Sequence, residues 1–250
     1  MTLRDDRLDF AAFGDAAASC RARRARLRLI DRGRFAVREL EWLGEAGVDI
    51  YTSDRAGREL SNLILIRGAT RRGRAILAHF HHGPVDAGET PASSSFAALR
   101  EMGRSGIDIH VSNGTVPRDP AVLAEVARDG AKGGAAFVYY HHGALDPALE
   151  NLARQGAWVH FLNTSVSSAD DVRFLGDCVR AARAAKSNFV LHIESPPDPV
   201  LLADIAASGA VLLFKTPLSD YRSPLRPYEE AARRRRLASR TFFLFTDYLL

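Results

Sequence analysis

From about residue 49 to its end the chain alternates apolar, strand-like runs with Ala/Leu/Arg-rich stretches of helical period, and this alternation restricts the possible folds more than any other feature. The strand-like runs fall at 49–53, 75–82, 107–113, 135–142, 157–164, 188–194, 210–215 and 241–248. Between them, helical patterning covers 55–71, 93–104, 119–129, 146–155, 168–184, 197–208 and 224–238. Three helices open on an aspartate followed by proline (Asp119, Asp146, Asp198), and Gly73, Gly106, Gly156 and Gly209 each stand where a helix should stop before the next strand. Strands that alternate with helices pair in parallel, because each crossover must carry the chain back across the sheet. Eight such units in roughly 200 residues predict an α/β fold, a (β/α)8 barrel of the TIM type, spanning 33–250 as one domain. Residues 1–32 read as a basic lead-in. No helix follows the last strand. Either the amphipathic extension 34–46 covers that place, or Tyr248, Leu249 and Leu250 pack on a second copy to make a homodimer.

Composition narrows the class. Hydrophobic residues at 46% and charged residues at 26% are those of a soluble globular chain, not a disordered or fibrous one. The opening MTLRDDRLDF has no apolar leader core, and no apolar run nears the roughly 18 residues of a membrane span. Cys20 and Cys178 are far apart and match no metal or redox spacing, so a reducing cytoplasm is the expected compartment. The net charge is +4, with arginines concentrated at 21–28 and 233–236. No aromatic residues are interleaved to stack bases, so these runs read as solvated helix faces and no nucleic-acid partner is expected.

Histidine placement points to the chemistry. All eight (His79, His81, His82, His110, His141, His142, His160, His192) fall in strand-like runs, most of them near the C-terminal end. In a parallel barrel those ends form the rim where side chains converge on substrate. His79-x-His81 puts two imidazoles on one strand face, about 6–7 Å apart along the chain. His192-x-Glu194 repeats the spacing with a carboxylate. Neutral imidazoles with a carboxylate suit zinc, manganese or ferrous iron. The expected ligands are His79, His81, His110, His141 and His192. His110 and Ser112 are expected to point into the barrel, opposite the apolar face Ile107, Ile109 and Val111. The set resembles the amidohydrolase pattern of H-x-H followed by later histidines and a final aspartate, here Asp247. It departs from that pattern in register, since the family's H-x-H ends the first barrel strand and this one ends the second. HHGPVD at 81–86 is echoed by HHGALD at 141–146.

Lysine is scarce, and Lys215 closes the apolar run AVLLFK. A lysine desolvated there could form a Schiff base, as in the class I aldolases that FKT faintly resembles, or pair with Glu194 or Asp247. Glu194, Lys215, Asp247 and His142 are the candidate catalytic groups. Asn113, Asn163, Ser165, Ser219 and Arg222 are the candidate substrate contacts, with Asp86 and Glu89 within a possible lid. The sequence thus predicts a metal-dependent hydrolase, lyase or isomerase acting on a small polar, phosphorylated or carboxylated molecule. A metal-free Schiff-base lyase and a non-catalytic binding barrel are the alternatives.

Overall fold

In a computed structural model of the chain, the residues described are 1–85, 95–162, 166, 168–193, 198–215, 230, 233 and 242–245, with 214, 215 and 242–245 described as strand backbone. Among the described residues ten parallel strands follow in chain order, with helices between them as far as β9: β1 (Thr2–Arg4), α1 (Phe10–Ala22), β2 (Arg28–Ile30), α2 (Val37–Glu45), β3 (Asp49–Ser53), α3 (Leu60–Arg72), β4 (Leu77–His81), α4 (Ser95–Arg104), β5 (Asp108–Ser112), α5 (Pro120–Gly133), β6 (Phe137–His141), α6 (Ala148–Arg154), β7 (Trp158–Phe161), α7 (Ala169–Ala184), β8 (Phe189–Ile193), α8 (Pro199–Ala207), β9 (Val211–Lys215) and β10 (Phe242–Phe245). The α/β class of parallel strands joined by helical crossovers is therefore as expected. The chain forms two compact units, one of Met1–Arg118 with Glu125–Phe137, the other of Asp119–Ala124 with Val138–Leu250.

In the first unit β1 to β5 pair in sequence order, all parallel. Two of these strands lie in the segment read as a lead-in. They are short and carry arginines, which hides them, but Leu27 and Leu29 alternate with Arg26 and Arg28 and are buried, the period-2 mark of a half-buried strand. Asp9 caps α1 by accepting the Ala12 N–H at 2.8 Å. The 34–46 segment gives α2, which is the crossover between β2 and β3. The short strand at 49–53 is real and sits between β2 and β4. In the second unit β6 to β10 pair in the same way. The expected helix at 224–238 lies outside the described residues except at 230 and 233.

The echo at residues 81 and 141 is part of a longer structural repeat. Asp49 at the foot of β3 accepts the Ile76 N–H at 3.0 Å, and Asp108 at the foot of β5 accepts the Ala136 N–H at 2.8 Å. A Cβ on Gly73 would collide with the carbonyl oxygen of Gly44, and a Cβ on Gly133, sixty residues on, with that of Gly103. Both glycines let one helix end lie directly on the backbone of its neighbour. Gly73→Ala is expected to destabilise the protein by about 1–3 kcal/mol, since the clash is with backbone that cannot rotate away. Urea denaturation measures this, and a loss below about 0.5 kcal/mol would show that the contact yields freely.

Candidate functional site

Strand register decides which histidines share a face. In the first unit Thr52 pairs with His79, His79 with Ile109 and His81 with Val111. Paired residues of parallel strands project to the same side, so His79 and His81 share the face of Ile50, Leu77, Ile109 and Val111. His110 pairs with Phe80 and lies on the other face, its ring stacked on Phe80 at 4.4 Å, with Tyr51 6.3 Å beyond Phe80. The expected joining of His79, His81 and His110 in one shell is not what the register gives.

Each histidine of the first group has a local environment that accounts for it. The His81 Nε2 lies 3.2 Å from the Pro84 carbonyl oxygen and its Nδ1 3.5 Å from Asp54 Oδ2. That same Asp54 oxygen accepts the N–H groups of His82 at 2.9 Å and Gly83 at 2.7 Å, pinning the turn after β4. Burial pushes the Asp54 carboxyl up, but the two N–H bonds and the neighbouring imidazoles outweigh it and leave it below the ordinary value. His79 is 3% exposed, and its Nδ1 has no hydrogen-bond partner among the described residues. Burial, then the charge of His81, pulls its imidazole down to about 4. His110 is likewise pulled to about 4, by burial and then by His79.

In the second unit the echo repeats the turn. His141 Nε2 is 2.8 Å from the Ala144 carbonyl oxygen, as His81 is from that of Pro84, and its ring stacks on Phe161 at 5.5 Å. His141 therefore supports its own loop. The opposite face of this sheet carries Tyr140, His160 and His192. His160 Nδ1 meets His192 Nε2 at 2.9 Å, and the Tyr140 ring lies 4.8 Å from that of His160. The two imidazole centroids are 5.1 Å apart, about the nitrogen gap plus a ring radius at each end, so the nitrogens point almost straight at one another. That is the geometry of a shared N–H. A zinc bound by both, at Zn–N of about 2.0–2.1 Å, would hold the nitrogens about 3.3 Å apart with both lone pairs aimed at the ion. Burial, then His160 and His142, pulls His192 down to about 3.

Among the described residues no three His, Cys, Asp or Glu side chains are grouped to hold a metal ion. Asn113 follows β5, half-buried, and His142 is exposed after β6. Lys215 ends β9, opposite Phe245 of β10. Glu194, Asp247, Asn163, Ser165, Ser219, Arg222, Asp86 and Glu89 lie outside the described residues. Cys20 and Cys178 are buried free thiols, and burial pushes Cys178 up to about 12, too high to supply a thiolate. His160 and Tyr140 stand outside the sequence-derived site because 135–142 and 157–164 are apolar on both faces and periodicity alone could not orient them. Among the described residues no helix is long and apolar enough to cross a membrane.

No family model matches this chain, and no curated protein does. Among solved structures the chain is similar to a mandelate racemase/muconate lactonizing protein from Herpetosiphon aurantiacus, at 13% identity over 84% of this chain and 51% of that one, with a TM-score of 0.40. The chain thus spans about half the length of that protein. It is also similar to deoxyribose phosphate aldolase from Aeropyrum pernix, at 13% identity over 81% of this chain and 87% of that one, with a TM-score of 0.35.

Proposed function

We propose that this chain is an enzyme that moves protons with histidine, in an isomerisation, elimination or hydrolysis of a small polar molecule in the cytoplasm. The supporting observation is the 2.9 Å contact between His160 and His192 on neighbouring strands. His192 is held neutral by its burial, so it meets His160 as a hydrogen-bond partner and not as a competing cation. With His160 donating from Nδ1, its Nε2 keeps a lone pair and acts as the base, and the proton it takes is returned to the product. His192 is then a positioning residue and Tyr140 a wall that fixes the ring. A cation-assisted form of the same chemistry would require His160 and His192 to part and turn their lone pairs toward zinc, manganese or iron.

A panel of phosphorylated and carboxylated metabolites tests the reading. His160→Ala is expected to lower turnover by about 10²–10⁴-fold, the usual worth of a positioned acid or base. Nitrogen NMR of the imidazoles should show His192 neutral down to about pH 4 and His160 with Nδ1–H. Wild-type turnover in His160→Ala, or no turnover on any substrate, overturns the proposal. Stoichiometric metal that is lost in a His160→Ala/His192→Ala variant selects the cation-assisted form. Borohydride trapping of a carbonyl compound on Lys215 selects a Schiff base instead.

A further inference from the structure

At the N-terminal ends of β2, β3 and β4 an open cleft of about 480 Å³ is lined by Arg21, Arg24, Arg26, Arg72 and Arg74, with Glu45 as the one acid among the described residues that line it. We propose that this cleft is a binding site for a small, multiply charged phosphate compound. Its size falls within the usual range for small-molecule sites. Two of the arginines are already answered: Arg26 pairs with Asp49 at 2.8 Å and Arg72 with Glu45 at 2.6 Å. Among the described residues Arg21, Arg24 and Arg74 have no ion pair and no side-chain hydrogen bond, so three guanidinium groups at the cleft are answered by no carboxylate. Guanidinium groups grip phosphate oxygens through paired N–H donors, which makes arginine the fitting residue for such a ligand.

The backbone adds a second, independent observation. Helices α1, α2 and α3 all end at this cleft with the same hydrogen-bonded turn. The residue past each cap donates to a carbonyl three positions back, and the next residue to one five back: Arg24 to Arg21 and Ala25 to Cys20, Gly47 to Gly44 and Val48 to Leu43, Arg74 to Arg71 and Ala75 to Thr70. This turn needs a left-handed residue, ordinarily glycine. α2 uses Gly47 at φ +89, whereas α1 and α3 put Arg24 and Arg74 there at φ +55. Both arginines therefore carry backbone strain that glycine would avoid, and their side chains line the cleft. A lone cation past a helix, such as Lys186 past α7 at φ +59, serves the helix end. Three helix ends meet here at about half a negative charge each, so the three guanidinium groups left after the ion pairs of Arg26 and Arg72 still exceed that need. Among the described residues the cleft has no aromatic lining on which bases could stack, which favours a compact ligand over a nucleic-acid strand.

The test is a calorimetric titration of the full chain with inorganic tripolyphosphate, beside wild type, Arg21→Ala and the double variant Arg24→Gly/Arg74→Gly. Saturable one-to-one binding that weakens as salt rises is expected. The double variant should bind about a hundredfold more weakly or not at all, at about tenfold per arginine. Because glycine suits both positions, that variant should melt at the same or a higher temperature, which separates loss of binding from loss of folding. Absence of saturable binding overturns the proposal, as does binding that survives the double variant. Tighter binding of a twenty-nucleotide single-stranded RNA than of tripolyphosphate also overturns it and makes the cleft part of a nucleic-acid surface.

Discussion

Replacing Asp31 with alanine is expected to lower the unfolding free energy by about 3–5 kcal/mol, the cost of stranding one member of a buried ion pair. The Asp31 side chain is fully buried and that of Arg58 is 11% exposed. Arg58 donates to both carboxylate oxygens, from Nη2 at 2.8 Å and Nε at 3.0 Å, and Thr52 Oγ1 and the Gly33 N–H donate at 2.9 Å each. These bonds, with that from Arg58 Nη2 to the Phe35 carbonyl, fasten the loop after β2 to β3 and to the entry of α3. Asp31→Asn should lose less, because the amide keeps one acceptor. Asp31→Leu combined with Arg58→Met should recover part of the loss, since no buried charge is left unanswered. Urea denaturation followed by circular dichroism gives all three values. A loss under 1 kcal/mol for Asp31→Ala would mean that the loop is held by other contacts.

Acid should unfold this protein far above the pH at which carboxylates titrate. Burial holds His79 and His110 at about 4 and His192 at about 3 in the folded chain, against about 6.5 when unfolded. Above pH 6.5 both states are neutral at these positions and stability is complete. As pH falls below that, the unfolded chain takes up protons that the folded chain refuses, and stability is lost until the folded values are reached. At pH 5 the loss is about 2 kcal/mol per histidine, or about 6 kcal/mol for the three, comparable with the whole stability of many domains. Melting temperature should be level between pH 8 and 7 and fall steeply from 6.5 to 5. His79→Leu should flatten that fall by about a third. A melting temperature constant from pH 7 to 4.5 would contradict the burial of all three rings.

The βα order was legible because each inner strand is a compact apolar run and each crossover a separate helical stretch closed by glycine. β1 and β2 are not legible in the sequence because three residues with an arginine at one end make little hydrophobic signal. The candidate site was legible only in part. Histidines at strand ends are visible in the sequence, but the side to which each projects depends on how neighbouring strands are offset. That offset sets His79 beside Ile109 and not beside His110. Periodicity could orient Asp108, His110 and Ser112, whose partners are all apolar. It could not orient WVHF, where Val159 and Phe161 on one face and Trp158 beside the histidine on the other are all apolar, and so His160 entered only through its contact with His192.

The matched aspartates under β3 and β5 and the matched glycines after α3 and α5 give two stretches of chain nearly the same fittings at both borders. A further copy of residues 49–107, spliced in ahead of β5, would give β5 the copied β4 it already accepts and set the copied β3, with Asp49 at its foot, in the place beside β4 that β5 now fills. The sheet could therefore grow by one βαβα increment with one new joint, that of β4 with the copied β3, and a chain lengthened in this way is expected to fold, with added helical and strand signal in proportion to the insert.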